Sequence, residues 1–183
     1  KRVQKLMDKG YAEAFNMPDA VYWMEKMREQ DEADEAETDL IKLYSGRILE
    51  LAADIPLTDS IDAPQASVKK RSPLCGSTIT VDVSMADGRI SAFGPDVTAC
   101  ALGQASASVL ASNVIGRSKA EIIAARDQLK EMMKNDGPVP SAPFGEYEVL
   151  IPARDFKNRH ASIMLALDAT AEAIELIEKA DCT

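Results

Sequence analysis

The sequence predicts an α+β fold, in which helices pack on one face of a small antiparallel sheet, preceded by an N-terminal helical extension. Alternating apolar and polar residues followed by the turn dipeptide Asp87-Gly88 are typical of a β-hairpin. Apolar residues at three- and four-residue spacing, both before and after that hairpin, are typical of amphipathic helices. The order helix, hairpin, helices favours an α+β arrangement of layers.

The composition indicates a globular protein and argues against several functional classes. The 183 residues are 46% hydrophobic and 28% charged. A formal net charge of −9 argues against nucleic-acid binding, which needs a surplus of Lys and Arg. No apolar run reaches the ~18 residues of a transmembrane helix. Three cysteines and no apolar signal core lead us to expect a reducing compartment, either a bacterial cytoplasm or a mitochondrial matrix.

Residues 1–38 differ in composition from the rest and are predicted to form a separate N-terminal extension. Apolar residues at three-residue spacing after Pro18 predict a helix there. Seven acids and no base follow between Glu29 and Asp39, which is typical of a solvated helix end or a linker. We therefore predict two parts, the extension and a domain over residues 39–183.

The domain is predicted to begin with a helix over residues 39–53, where apolar residues recur with helical spacing. Ser77–Met85 alternates apolar and polar side chains and is predicted to be a half-buried strand. The turn at Asp87-Gly88 leads into a return strand that starts with Arg89–Phe93. Two strands need a further partner to be stable, and there are two candidates, Ala66–Lys70 and Tyr147–Ile151.

The second half of the domain is predicted to be helical. Cys100–Val114 is rich in Ala, Ser and Leu and is followed by Gly116, a favourable residue after a helix end. Ser118-Lys-Ala-Glu121 is a capping box, and the helix that it begins ends near Asn135. A last helix is predicted from about Asn158–His160 to Lys179, with a continuous apolar stripe.

Cys75 and Cys100 are candidates for chemistry because of their neighbours. Gly76 allows another backbone to approach beside Cys75, and the start of a predicted helix favours a thiolate at Cys100. Thiolates bind soft metals and iron–sulfur clusters. The alternative is that both cysteines are small buried hydrophobic residues. His160 lies at the start of the last predicted helix, where a neutral imidazole can form a hydrogen bond with a backbone group.

These motifs resemble the iron–sulfur cluster assembly scaffold family of the IscU/NifU N-terminal type. The resemblance covers about residues 39–180 and rests on Pro73-Leu-Cys-Gly76, Asp87-Gly-Arg-Ile90, Cys100–Ser108, Gly116 and Ser162-Ile-Met-Leu-Ala-Leu-Asp-Ala169. It implies a scaffold and carrier rather than an enzyme. Such a protein receives sulfur from a donor protein, assembles a cluster on three cysteines helped by an aspartate, and passes it to client apo-proteins.

Carried over position by position, the resemblance implies an incomplete site. Cys75 and Cys100 match the first two cysteines, whereas Ser77 stands at the aspartate and Ser162 at the third cysteine. Some branches have a histidine beside the third cysteine, and His160 is displaced from that position by one residue. A hydroxyl is a poor ligand for iron–sulfur chemistry. The implied ligands of a labile 2Fe–2S cluster or a zinc ion are therefore Cys75, Cys100 and His160, completed by the second protomer of a homodimer or by an outside thiol.

The hairpin leads to a geometric expectation for this site. About 12 residues separate each cysteine from the turn, so both cysteines should return to the same end of the sheet. A last helix packed on that sheet would point its first turn to the same end. We predict that Cys75, Cys100 and the His160–Ser162 turn converge at one partly exposed rim, with the two sulfur atoms roughly 4–8 Å apart, close enough to share a tetrahedral metal.

A second hypothesis belongs to another class of protein. The domain could have kept the scaffold fold and lost the cluster, serving as an accessory or interaction subunit of a larger complex. Residues 1–38 would then dock it onto that assembly. Nothing else predicts an enzyme, since the chain has no phosphate-binding glycine loop and its single histidine does not support a Ser/His/Asp set.

Overall fold

The computed structural model describes Lys26, Arg28, Glu29, residues 46–73 and residues 76–181. The chain divides into two units, residues 1–43 and residues 44–183. In the first unit the three described residues are helical, and the Lys26 ammonium lies 2.7 Å from the Glu29 carboxylate. The predicted boundary at residue 38 and the remainder of the N-terminal extension lie outside the described residues.

A three-stranded antiparallel sheet of the second unit has the order β1-β2-β3. Its strands are β1 (Ala66–Arg71), β2 (Thr78–Ala86) and β3 (Arg89–Thr98). β2 and β3 form the predicted hairpin, in which Ala86 pairs with Arg89. The two residues between them, Asp87 and Gly88, have φ angles of +51° and +70°. Positive φ at both positions is what a tight two-residue hairpin turn of type I′ requires.

The third strand comes from residues 66–71 and not from the other candidate, residues 147–151. Ala66 and Val68 of β1 are buried, so this strand extends the apolar face of the hairpin. Residues 147–151 instead belong to a 3₁₀ segment, Phe144–Ala153. Because every second side chain of a strand faces the same layer, the alternation in residues 66–69 is compatible with a half-buried strand.

Helices pack with this sheet in the described part of the second unit. They are α1 (Gly46–Ala53), α2 (Ala101–Asn113), α3 (Lys119–Lys134) and α4 (Lys157–Asp181). The part of the predicted first helix that precedes Gly46 lies outside the described residues. The capping box is confirmed, since Ser118 and Glu121 exchange its two hydrogen bonds at the start of α3. In the described portion of the chain, none of the helices has the length and apolar character needed to cross a membrane.

α4 packs against β1 and β2 and also contacts α2 and α3. Its predicted apolar stripe is buried along the helix, at Ile163, Leu167, Ala171, Ile174 and Ile177. Fully burying one such aliphatic side chain stabilises a fold by about 1.5–3 kcal/mol. The predicted α+β fold is therefore confirmed, and this packing holds the first turns of α4 beside the points where β2 and α2 begin.

Candidate functional site

Ser77 is held at the entry to β2 by a backbone hydrogen bond to the residue that follows β1. The amide of Ser72 donates a hydrogen bond to the carbonyl of Ser77 at 2.8 Å. Gly76 has a φ angle of +70°, a conformation that favours glycine. The Ser77 side chain is buried, with 3% exposure. Cys75 lies outside the described residues, so the predicted distance between its sulfur and that of Cys100 stays a prediction.

Cys100 connects the end of β3 to the start of α2 and is partly buried. Its backbone is extended, with φ −66° and ψ 163°. Its carbonyl accepts the hydrogen bond of Gln104 N–H at 2.9 Å. The sulfur lies beside the N-terminus of α2, the positive end of the helix dipole. The thiol makes no capping hydrogen bond with the helix backbone.

Ser162, in the second turn of α4, joins these two positions. Its Oγ donates a hydrogen bond to Ser77 Oγ at 3.0 Å and lies 3.5 Å from Cys100 Sγ. Only 1% of Ser162 is exposed. Three residues that are far apart in the sequence therefore meet where β2, α2 and α4 begin.

Gly103, in the first turn of α2, allows this approach. A Cβ at position 103 would collide with Ser162 Oγ and would lie 2.9 Å from Ala99 Cβ. Gly103 is not among the candidate site residues predicted from the sequence, although a signal is present. A glycine inside a helix costs about 1 kcal/mol relative to alanine, so a glycine in that setting usually has a packing reason.

His160 is buried and directed towards the backbone. Its Nε2 lies 2.9 Å from the carbonyl oxygen of Arg154 and 3.2 Å from that of Ala153. Because two carbonyl oxygens only accept, Nε2 carries a proton and donates to them. Backbone hydrogen bonding, one of the two alternatives for this residue, therefore occupies Nε2. A metal-binding role for His160 stays a prediction and would have to use Nδ1.

The described side chains of this cluster provide one strong ligand for a soft metal. Cys100 supplies a thiol, while Ser77 and Ser162 supply hydroxyl oxygens that are hydrogen-bonded to each other. No group of three or more His, Cys, Asp or Glu residues within ranges 46–73 and 76–181 is arranged to hold a metal ion. The cluster is thus a partial ligand set, to which further thiols would have to be added.

The chain is similar to known iron–sulfur scaffold proteins. It is 30% identical over 109 residues to the iron-sulfur cluster assembly scaffold protein IscU of Streptococcus pyogenes serotype M1, covering 60% of this chain and 69% of that protein. No family model matches the chain.

Solved structures give the same family. A nitrogen-fixing NifU-like protein (N-terminal) from Brucella abortus is 44% identical, with a TM-score of 0.75 over 77% of this chain and 98% of that one. A putative scaffold protein for the SUF system from Fervidobacterium islandicum AW-1 is 18% identical, with a TM-score of 0.65 over 72% of this chain and 96% of that one. At that identity the second likeness shows the fold alone. The resemblance to the scaffold family is confirmed by the relatives from Streptococcus pyogenes and Brucella abortus, and the chain belongs to the IscU/NifU-type family of iron–sulfur cluster assembly scaffold proteins.

Proposed function

We propose that the chain is a cytoplasmic scaffold and carrier, not an enzyme, that receives iron and sulfide, holds a labile 2Fe–2S cluster and transfers it to client apo-proteins. The observation that carries the proposal is the meeting of Cys100 with Ser77 and Ser162. The 3.5 Å and 3.0 Å contacts bring together three of the positions at which the family resemblance implies ligands. A scaffold needs that convergence, since four ligand atoms must lie within one cluster's reach.

Cys100 suits such a role for physical reasons. A partly exposed thiol at the N-terminus of a 13-residue helix can be reached by iron, by a donor protein and by a client. The thiolate is the form of a cysteine side chain that binds iron. Cys75, two residues before Ser77 in the sequence, is the second thiol that we assign to the cluster.

The remaining ligands come from outside the protomer in this proposal. Four thiolates hold a 2Fe–2S cluster in the ordinary case, and Cys75 and Cys100 supply two of them. A homodimer that contributes the same pair from each subunit completes the set, with one cluster for every two chains. A small thiol on each protomer is the alternative, with one cluster for every chain. A zinc ion could take the same two thiolates together with Nδ1 of His160.

Anaerobic reconstitution of the full chain with ferrous iron and sulfide tests this function. We expect visible absorption from sulfur-to-iron charge transfer, which disappears in Cys75→Ser and in Cys100→Ser. Cys182→Ser is the matched control and keeps the absorption. Iron and sulfide content per chain, with the molar mass in solution, distinguishes the dimer from the protomer with small thiols. Wild-type protein that stays colourless and binds neither iron nor zinc would contradict the proposal.

One observation favours the second candidate function, an interaction subunit without a cluster. The Ser162 hydroxyl already donates to Ser77, so these two positions need no metal to be satisfied in the folded state. In that case the reconstitution fails, and partner proteins bind the chain equally well with and without Cys100→Ser. Removal of residues 1–38 would then release the partners, provided that this extension anchors the assembly.

A further inference from the structure

A groove of about 980 Å³ lies between α3 and the first half of α4. We call it the α3–α4 groove and define it by its basic residues, Arg126, Lys130, Lys134, Arg154 and Lys157. On α4 the groove is lined by Lys157, His160, Ala161, Met164 and Asp168. Ser162 instead contacts Gly103 and Cys100, so the groove and the Ser162 hydroxyl lie on different faces of the same helix.

The cations of α3 form a row along this groove. Arg126, Lys130 and Lys134 are spaced four residues apart and therefore share one helix face. The helical rise puts successive members of the row about 6 Å apart along the axis. Lys130, Lys134 and Lys157 are exposed, and none of the three forms an ion pair with any residue that the structure describes.

The two arginines of the groove already form contacts with other residues of the chain. Arg126 contacts the carboxylate of Asp127 at 3.0 Å. Arg154 donates a hydrogen bond to the carbonyl of Gly137 at 2.7 Å and lies 3.8 Å from Asp136. Its Nε–H is buried without an acceptor among the described residues. Asp127 and Asp136 therefore each have a positively charged arginine as an ion-pair partner within the chain.

Two further carboxylates line the groove without an ion pair in the described part of the chain, those of Asp155 and Asp168. Asp155 is exposed, whereas Asp168 is half-buried. Burial raises the pKa of the Asp168 carboxyl, although Arg126 and two lysines lower it. The cations without an ion pair therefore outnumber the corresponding carboxylates, three to two. This local excess lies on a chain whose net charge is −9.

We propose that the α3–α4 groove is a docking site for an acidic segment of a partner protein. Charge complementarity argues for an acidic partner, because three exposed ammonium groups of the groove form no ion pair with a residue that the structure describes. Their spread along the helix favours a chain over a small anion. Alternate side chains of an extended segment are about 6.6 Å apart, which matches the spacing of Lys130 and Lys134.

The residues that line this docking site include none of Ser77, Cys100 and Ser162. Because α4 presents the groove and Ser162 on different faces, an acidic segment can bind metal-free protein. The partner would then lie along the helix whose second turn contacts Cys100. Salt should weaken the binding, since the cations are exposed and their fields are screened over about 8 Å at physiological ionic strength.

The test measures the binding of a fluorescein-labelled oligoglutamate peptide to the full metal-free chain, by fluorescence anisotropy at low salt. Oligoglutamine is the uncharged control peptide. The variant Lys130→Glu/Lys134→Glu should bind the peptide roughly tenfold more weakly or worse. Lys69→Glu/Arg71→Glu is the matched control, since it makes the same change of charge at exposed positions of β1. It should bind within about twofold of the wild type.

Three results would overturn the proposal. One is an oligoglutamate affinity no higher than that of oligoglutamine. Another is an equal loss of affinity in the two double variants, which would indicate non-specific attraction. The third is displacement of the peptide by inorganic phosphate at an equal concentration of charge, which would indicate a site for a small anion. Because all measurements use metal-free protein, failure here is separate from failure of cluster reconstitution.

Discussion

The hydroxyl of Ser162 donates a hydrogen bond to the hydroxyl of Ser77 at 3.0 Å, across 85 positions of the chain. Both side chains are almost completely buried. The family resemblance puts a cysteine at position 162 and an aspartate at position 77. The substitutions are therefore compatible with each other, since a buried carboxylate at 77 would need a positive partner whereas two hydroxyls can satisfy one another.

This hydrogen bond should contribute measurably to stability. Ser162→Ala removes the donor and is expected to lower the free energy of unfolding by about 1 kcal/mol. In a double-mutant cycle with Ser77→Ala, the second substitution should cost less once the first is present. Denaturant unfolding of the four proteins measures this coupling. Strictly additive losses would show that the contact contributes nothing.

Gly103→Ala should destabilise the domain even though alanine is the better helix former. The added Cβ would collide with Ser162 Oγ and crowd Ala99, so either the Ser162 side chain or the two helices must shift. Overpacking of this kind costs about 1–3 kcal/mol. Gly46→Ala is the control, because a Cβ there meets nothing within 4 Å. Thermal unfolding that ranks the two variants equally would contradict the close approach.

Ser162→Cys should strengthen cluster binding, a prediction that rests on the proposed function. The hydroxyl oxygen lies 3.5 Å from Cys100 Sγ, so a thiol at position 162 would add a soft ligand at the same place. We expect reconstituted protein to release iron to a chelator several-fold more slowly than the wild type. Ser112→Cys, which places a thiol near the far end of α2, should leave the release rate unchanged. Equal rates for both variants would exclude position 162 as a ligand position.

The capping box of α3 should make the free energy of unfolding depend on pH in the acidic range. Hydrogen bonds from the backbone and side chain of Ser118, with help from Arg117, lower the pKa of Glu121 to about 2. An acid with a lowered folded-state pKa contributes stability above its unfolded pKa of 4.5 and loses it as the pH falls towards 2. Glu121→Gln should therefore be less stable than the wild type at neutral pH, with a difference that shrinks below pH 4.5. Denaturant unfolding across this range measures it, and a constant difference would contradict the prediction.

The elements predicted from the sequence were those whose signals are local. Positive φ at Asp87 and Gly88 closes the hairpin through two adjacent residues, and Ser118 and Glu121 make their capping bonds within one helical turn. The sequence does not identify which of two segments forms the third strand, because short apolar runs occur both in strands and in buried 3₁₀ segments. The choice between residues 66–71 and 147–151 depends on which stretch packs beside β2, which is a long-range property.

The features of the candidate site likewise separate into local ones and long-range ones. Spacing and residue type along short stretches are enough to indicate the α+β class and the order of helices and hairpin, and they carry the two cysteine motifs that resemble the scaffold family. The packing in three dimensions is needed to show that Ser162 meets Ser77 and Cys100, that Gly103 leaves room for the contact, and that His160 Nε2–H donates hydrogen bonds to backbone carbonyls. Those relationships depend on how α4 packs against the sheet and α2, and the direction of a side chain at such a junction is set by residues distant in the sequence.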